Sequence, residues 1–263
     1  MNINNENWEV SFMYVSRKHI LFSSLFLIIT LSIVALANME QSGLYGYFDF
    51  EKYNVGARPT DDNISYLNKG MMPSDRILIR VTDDKDKLSP FEGIFGLSTK
   101  SLYVHDLDDA PSDIGSGTFA GTFIFDNVNL SENSLVSFDL KTPRSFIPVV
   151  ASLSADSLIT SITFGQGRMR IRNANTNAWY AGKESYKPRQ GTWTRVQISI
   201  YGQANKIDIT FTNEAGEVFE YKSISPVKAP NGKSLKLSIQ TTDGALRGYT
   251  GEICIDNIYV KKF

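Results

Sequence analysis

The stretch "WTRVQISIYG", residues 193–202, alternates apolar and polar side chains along its length. Val196, Ile198 and Ile200 point one way, while Arg195, Gln197, Ser199 and Tyr201 point the other. Successive side chains of a β-strand lie on opposite faces of a sheet. The spacing therefore predicts a strand whose apolar side packs on a core and whose polar side faces outward.

The same pattern recurs from residue 44 onward, in short segments separated by Gly, Asn, Asp and Pro. The other predicted strands are 77–81, 117–128, 134–140, 157–164, 168–172, 206–213, 217–224, 234–242 and 251–260. "TNEAGEV" (212–218) has the composition of a hairpin turn between two of them. Many short strands at regular spacing predict an all-β fold, a two-sheet antiparallel β-sandwich of the jelly-roll type. Residues 38–263 are predicted to form one domain.

The composition is that of a folded protein. The 263 residues are 42% hydrophobic and 21% charged, with a formal net charge of −1 at pH 7. Such a chain can form a core, and the small net charge argues against a general nucleic-acid binder. Cys254 is the only cysteine, so it forms no internal disulfide, and the apolar run "ICI" around it predicts a buried thiol.

The N-terminal residues have the layout of an export signal. Arg17 and Lys18 precede an uncharged apolar run, Ile20–Ala37, which ends in the small-x-small triplet "ALA". This layout predicts a signal peptide over residues 1–37, and the length of the run leaves an uncleaved membrane anchor as the alternative. In both cases the rest of the chain is exported. The expected location is secreted, periplasmic or at the cell surface, and Met13 is an alternative start.

Three segments resemble a known superfamily. "GYFDFEKYNVGARP" (46–59) is similar to the opening strand of concanavalin A-like and carbohydrate-binding-module jelly rolls, and "GEICIDNIYVKKF" (251–263) resembles their closing strand. "GTWTRVQISI" (191–200) is similar to a strand of the laminin-G-like members. The resemblance implies a concanavalin A-like sandwich in which the first and last strands lie side by side, and it supports a fold better than a function.

In that superfamily, acids from the two ends of the domain often bind a structural calcium ion. Carried over to this chain, the resemblance implies Glu51 and Asp256 as candidate Ca²⁺ ligands. A buried carboxylate is unfavourable unless it is paired or bound to a metal. The alternative is that Asp256 accepts hydrogen bonds from a neighbouring loop.

Enzymes of the same superfamily carry active-site motifs that this sequence lacks. It has no Glu-x-Asp-x-x-Glu strand of the laminarinase type, and no Gln-Ile-His or Tyr-x-Lys-x-Gly-x-Tyr strand of the alginate-lyase type. A lyase needs cations to neutralise a uronate and a Tyr or His to move the proton. The enzyme alternative is therefore a polysaccharide lyase that uses Arg168, Arg170, Arg172, Tyr180 and Tyr201, or a glycoside hydrolase on the same fold.

The sequence between residues 168 and 195 is strongly basic, with seven Lys or Arg and one acid. "GRMRIRN" (167–173) places three arginines at alternate positions of a predicted strand, and a predicted loop with Trp179, Tyr180 and Tyr186 follows. Guanidinium groups suit carboxylate or sulfate, and aromatic rings in a loop suit sugar faces. The predicted ligand is a polysaccharide, acidic by this argument, and the candidate ligand-binding residues are Arg168, Arg170, Arg172, Trp179, Tyr180, Arg195, Gln197 and Tyr201.

Two plainer interpretations stay open. Each arginine can simply keep an exposed strand soluble or pair with an acid on the next strand, and Asp139 and Asp208 are candidate partners. The exported domain can also be a structural surface domain with no ligand. The sequence favours a carbohydrate-binding, lectin-like protein, with no nucleic acid as partner and with membrane contact only through the N-terminal segment.

Overall fold

The alternating stretch that begins at residue 193 is a strand with the predicted faces. The computed structural model describes residues 43–66, 77–106, 120–142, 148–165, 167–174, 177–180, 185–241 and 252–263. In it, Trp193–Tyr201 is a β-strand, and Val196, Ile198 and Ile200 are buried. The predicted signal or anchor segment, residues 1–37, lies outside the described residues. Within the part of the chain that the structure describes, no helix is long and apolar enough to cross a membrane.

The regular secondary structure of the described residues is almost entirely β-strand, with one short 3-10 helix over Lys85–Lys87. In chain order the strands are β1 (Leu44–Phe48), β2 (Ile64–Tyr66), β3 (Ile77–Thr82), β4 (Glu92–Gly93), β5 (Gly96–Leu97), β6 (Ser101–Asp106), β7 (Ala120–Asp126), β8 (Asn133–Lys141), β9 (Val149–Ser154), β10 (Leu158–Gly165), β11 (Arg168–Arg172), β12 (Asn177–Tyr180), β13 (Trp193–Tyr201), β14 (Lys206–Asn213), β15 (Val218–Ile224), β16 (Ser234–Thr241) and β17 (Glu252–Lys262).

Two large sheets contain all but two of these strands. Sheet A has the order β15-β14-β13-β8-β17-β6-β3, and β1 pairs with β17 beside this path. Sheet B has the order β12-β11-β10-β9-β16-β7-β2, and β4 and β5 form a separate two-stranded hairpin. Every pairing is antiparallel. The predicted two-sheet antiparallel sandwich is confirmed, and the first strand does lie beside the last.

The hydrophobic core fills the space between the sheets. Phe164 of β10 meets Phe211 of β14 with ring centroids 5.9 Å apart, and Phe48 of β1 contacts Phe123 of β7 at 5.3 Å. Full burial of such a side chain stabilises the folded state by about 1.5–3 kcal/mol. These rings join strands of opposite sheets, so they fix how the sheets pack.

Several strands are absent from the predictions made on sequence. The segments "SLYVHD" and "VVASLS" are β6 and β9, and β9 alternates between buried and half-buried positions. Its outward side chains include Ser152 and Ser154, and its inward residues include Ala151. Small side chains of this kind give a weak contrast between the two faces, so the period of two is difficult to detect. The predicted loop around residue 179 is also wrong in part, because Asn177–Tyr180 is strand β12.

Candidate functional site

The arginine stripe, defined as Arg168, Arg170 and Arg172, lies on the outer face of sheet B. Met169 and Ile171, which alternate with it along β11, are fully buried in the core. Arg168 and Arg172 are exposed, and Arg170 is half-buried. Successive outward side chains of a strand are about 6.6 Å apart. The three arginines therefore lie on the outward face of the strand, as predicted.

A row of hydroxyl groups crosses the same face from the stripe to the far edge of the sheet. The strand registers place Arg172 opposite Ser161, Ser161 opposite Ser152, Ser152 opposite Ser238, Ser238 opposite Thr122, and Thr122 opposite Ser65. The hydroxyls of Thr122 and Ser238 are hydrogen-bonded at 2.8 Å. With strands about 4.8 Å apart, this hydroxyl row is about 24 Å long from β11 to β2.

A second line of residues, paired directly across neighbouring strands, runs beside the hydroxyl row. It joins Trp179, Arg170, Thr163, Val150, Gln240 and Ala120 through directly opposed positions. The two lines together give the outer face of sheet B small hydroxyls, one amide and guanidinium groups, with the apolar Val150 between Thr163 and Gln240. These groups donate and accept hydrogen bonds, as a polyhydroxylated ligand requires.

Among the described strand positions of sheet B, the outward charges are mostly positive. Lys236 is an outward cation besides the arginine stripe, and Asp126, at the end of β7, is the one acid at an outward strand position of the described part of sheet B. Among the described residues, no carboxylate lies within salt-bridge distance of Arg168 or Arg172. The suggested partners of the stripe, Asp139 and Asp208, lie in sheet A, so that pairing is wrong for the arginines of sheet B.

The aromatic residues predicted to stack on sugars are placed differently. Tyr180 is opposite the buried Met169 and its ring meets Tyr221 of sheet A at 4.8 Å, edge to face, so it does not share the outer face with the stripe. Tyr186 is 2% exposed and its ring is stacked on Phe211 at 5.1 Å. The backbone of Trp179 lies opposite Arg170. Tyr180 is separated from the arginine stripe because it lies one position along β12 from the residue opposite Arg170, and neighbouring positions of a strand face opposite sides of the sheet.

The remaining three candidates, Arg195, Gln197 and Tyr201, lie on the outer face of sheet A. This face is separated from the arginine stripe by the core, so the structure divides the predicted site into two. Arg195 is not available to a ligand as a free cation, since its Nε and Nη2 donate to the two oxygens of Asp139 at 2.8 and 3.0 Å. Tyr201 donates to Asp208 Oδ2 at 3.2 Å. The lyase arrangement of the stripe with Tyr180 and Tyr201 is therefore not formed.

Arg195 belongs to a buried polar cluster that lies between sheet A and the segment 89–98. Asp139 and Asp256 are fully buried on neighbouring strands, directly opposite each other. Asp139 Oδ2 also accepts from Ser89 Oγ and from Asn257 Nδ2, both at 2.7 Å. The hydrogen bond from Ser89 holds the start of segment 89–98 against the outer face of sheet A.

Asp256 is the less satisfied of the two acids. Its Oδ1 accepts from the Asn257 N–H at 2.7 Å and from Ser98 Oγ at 3.2 Å, as the hydrogen-bond interpretation expects, and its buried Oδ2 has no hydrogen-bond partner. Burial raises the pKa of Asp256 well above its usual value; the Asn257 and Ser98 hydrogen bonds lower the pKa, while the charge of Asp139 raises it.

The other candidate calcium ligand, Glu51, is already engaged by protein groups. Its carboxylate accepts from Thr99 N at 2.5 Å, Thr99 Oγ1 at 2.6 Å and Lys100 N at 3.0 Å. Asp256 offers one unpartnered oxygen, whereas a calcium ion takes six to eight oxygen ligands. In the ranges that the structure describes, no group of three or more His, Cys, Asp or Glu is placed to hold a metal ion. The described residues thus do not themselves fit a calcium site, and the calcium assignment stays a prediction.

The hydroxyl row was not identified from sequence. Three of its members, Thr122, Ser161 and Ser238, lie on predicted strands, whereas Ser65 and Ser152 lie on β2 and β9, which were not predicted. The alternation in "VVASLS" is the signal that would have found the missing strand. Strand order was also needed, because no sequence period shows that β9 lies between β10 and β16.

Comparisons with known proteins give the fold. No protein-family model matches the sequence, and no curated protein matches it. Among solved structures, the chain is similar to the catalytic domain of a glycoside hydrolase family 131 protein from Coprinopsis cinerea, with 14% identity, TM-score 0.58, and coverage of 84% of this chain and 95% of that one. A GH131 β-glucanase catalytic domain from Podospora anserina has 12% identity, TM-score 0.52, and coverage of 81% and 93%.

A third solved structure is a PL-14 alginate lyase from Aplysia kurodai, with 8% identity, TM-score 0.52, and coverage of 80% of this chain and 98% of that one. The chain also spans 18% of the length of a sialidase, with a TM-score of 0.48. At identities this low, the likeness is one of fold.

Proposed function

We propose, from the concanavalin A-like jelly roll that this chain adopts, that the protein binds a polysaccharide along the outer face of sheet B. The observation that carries the proposal is the hydroxyl row, which runs across the sheet and ends at Arg172. A sugar polymer presents hydroxyls at regular intervals, and such a row can donate to them and accept from them. The three similar structures are, by their names, a glycoside hydrolase, a β-glucanase and an alginate lyase.

The arginine stripe favours an acidic polymer. Guanidinium groups bind carboxylate or sulfate through paired hydrogen bonds, and among the described residues no carboxylate lies within 4.0 Å of Arg168 or Arg172. Exposed charges interact weakly one at a time, so several cations in a line favour an acidic polymer more than a single cation does. We further propose that binding takes place outside the cytoplasm, on the basis of the N-terminal layout.

Binding without cleavage is the form of the proposal that the described residues support. Glycosidases need two carboxyl groups on one face, and the outward strand positions of sheet B offer Asp126 alone in the described ranges. The competing function is cleavage of the polymer by a lyase or hydrolase. It is favoured by the names of the similar structures, two glycoside hydrolases and an alginate lyase.

Affinity gel electrophoresis of the purified protein tests the proposal, with alginate, polygalacturonate, dextran sulfate, laminarin and cellulose derivatives in the gels. We expect an acidic polymer to slow the wild type. The variant Arg170→Gln/Arg172→Gln should lose most of this retardation. The control Lys206→Gln/Lys222→Gln removes the same charge from the outer face of sheet A and should behave like the wild type.

Two results would contradict the proposal. Equal retardation of both double variants would place binding elsewhere, and no retardation of the wild type by any polymer would leave the face without a ligand. To decide between binding and cleavage, the same polymers are incubated with the protein, and their chain length and their content of unsaturated ends are then measured. Accumulation of short products would establish the competing function.

A further inference from the structure

A groove of about 740 Å³ lies where the β10–β11 turn, the segment 185–190 and the β14–β15 hairpin meet. We define it as the end groove. Gly167 lines it, and Arg168, the first arginine of the stripe, follows Gly167 directly. The stripe therefore leads along β11 to this groove.

Segment 185–190 presents two cations on an anchored backbone. Tyr186 and Pro188 are buried, whereas the alternate residues Lys187 and Arg189 are exposed. The Tyr186 N–H donates to Tyr221 Oη at 2.9 Å, and the carbonyl of Arg189 accepts from Thr142 Oγ1 at 2.6 Å. The backbone positions of both cations are thus fixed by packing and hydrogen bonds before any ligand arrives, which lowers the entropy lost on binding.

The charges of the end groove are unevenly distributed. Among the described residues, neither Lys187 nor Arg189 has a carboxylate within 4.0 Å. The acid in the lining, Glu217, belongs to the β14–β15 turn, where its Oε2 accepts from Asn213 Nδ2 at 2.6 Å. Among the described lining residues, segment 185–190 therefore makes one side of the groove cationic, and the β14–β15 hairpin contributes the carboxylate of Glu217.

From this placement we infer that the end groove is a second anion subsite, which binds carboxylate or sulfate groups of an acidic polymer beyond the arginine stripe. The inference rests on the proposed function, since the polymer must first lie on sheet B. It adds a specific consequence: a long chain reaches Lys187 and Arg189, whereas a short oligosaccharide held on the face does not. Glu217 opposes the ligand at this subsite and limits its affinity.

Binding of two sizes of one ligand tests the inference. Alginate polymer and alginate trisaccharide serve as uronate probes, and dextran sulfate serves as the sulfate probe, all measured by titration at low salt. Lys187→Gln/Arg189→Gln should weaken polymer binding about threefold to tenfold and leave the trisaccharide unchanged. Glu217→Gln should strengthen polymer binding by about twofold to threefold. Both effects should vanish in 1 M salt, where the screening length is about 3 Å.

The outcomes separate failure of the groove from failure of the proposed function. The end-groove inference alone would be overturned if Lys187→Gln/Arg189→Gln and Glu217→Gln bind the polymer like the wild type. In that case Arg170→Gln/Arg172→Gln would still lose polymer binding. Weaker binding by Glu217→Gln would also overturn it, since removing an acid cannot weaken an anion site by charge. No binding of any acidic probe by the wild type would overturn both. A loss confined to alginate or to dextran sulfate would support the subsite and identify the acid group that it takes.

Discussion

Asp256 shows how one residue combines a structural role with an electrostatic cost. Its side chain connects β17 to segment 89–98 through Ser98, yet one of its oxygens is buried without a partner. A neutral carboxyl group loses less hydration free energy on burial than a charged carboxylate does, and this difference raises the pKa of Asp256. Asp139, opposite it, is compensated by two hydrogen bonds from Arg195. The two acids therefore respond differently to removal.

We expect Asp256→Asn to increase the free energy of unfolding at neutral pH. The pKa of this carboxyl group is higher in the folded protein than in the unfolded chain, where it is about 3.9. Its contribution to stability is therefore complete at a pH below the pKa of the unfolded chain and is lost as the pH rises through the pKa of the folded protein. An amide at this position does not ionise, and its oxygen can still accept from the Asn257 N–H. Urea denaturation from pH 3 to pH 8 should show the gain at neutral pH and none at pH 3.

The exposed acid Asp62 is the matched control for this measurement. Asp62→Asn should follow the wild-type curve at all pH values. A variant Asp256→Asn that is less stable than the wild type at pH 7 would contradict the argument, because it would show that the charged form is the one the fold favours.

Asp139→Asn should act in the opposite direction. It leaves the half-buried guanidinium of Arg195 without its carboxylate, and breaking such a pair by removing one partner costs roughly 3–5 kcal/mol. Arg195→Met should also be destabilising, and the double variant should lose less than the sum of the two single losses. Urea denaturation of the four proteins measures this coupling. Strict additivity would mean that the hydrogen bonds seen between the two side chains do not contribute.

Segment 89–98 is an element whose position depends on close contact with sheet A. It contains the hairpin β4–β5, and a Cβ atom added at Gly93 would lie 2.1 Å from Asn257 Oδ1. Asn257 cannot easily move away, because its Nδ2 donates to Asp139 and to the carbonyl of Phe91. The absence of a side chain at residue 93 is what allows the hairpin to lie this close.

We expect Gly93→Ala to lift the hairpin from sheet A. Overpacking of a well-packed contact costs about 1–3 kcal/mol, and hydrogen exchange of the amides in 89–98 should accelerate while that of β13 and β14 stays slow. Gly216, at the tip of the β14–β15 turn, has open space where an added methyl group would lie but a positive φ of 80°. Gly216→Ala is therefore a control that strains the β14–β15 turn without affecting the β4–β5 hairpin. Unchanged exchange in 89–98 after Gly93→Ala would contradict the close contact.

Element by element, sequence patterns predicted the faces of the strands but not their neighbours. The alternation in β11 and β13 correctly gave the buried side chains, such as Met169 and Val196. It carried no information on which sheet each strand joins, because a period of two is the same in both. Arg195 was therefore grouped with Arg170 although they lie on opposite sides of the core. The buried pairing of Arg195 with Asp139 also depends on strand order, since the two residues are 56 positions apart.

At the scale of the molecule, the two outer faces are unlike each other. On sheet A, segment 89–98 is hydrogen-bonded to Asp139 and Asp256, and the charged side chains beneath it are paired or buried. On sheet B, the hydroxyl row and the arginine stripe occupy outward positions. This asymmetry is why we assign the ligand to sheet B.

Arginine-specific labelling with phenylglyoxal, read by mass spectrometry, tests that assignment directly. Bound alginate polymer should reduce labelling of Arg168 and Arg172, and by the end-groove inference of Arg189, because a ligand covers these guanidinium groups. Arg80 on β3 of sheet A, whose guanidinium lies 5.3 Å from the centre of the Tyr103 ring, is the internal control and should be labelled equally with and without polymer. Binding also stabilises the folded state by about 2.7 kcal/mol at a ligand concentration 100 times the dissociation constant, so the melting temperature should rise under the same conditions. A rise in melting temperature with protection of Arg80 alone would assign the ligand to sheet A, and the hydroxyl row would then be a solvated strand face.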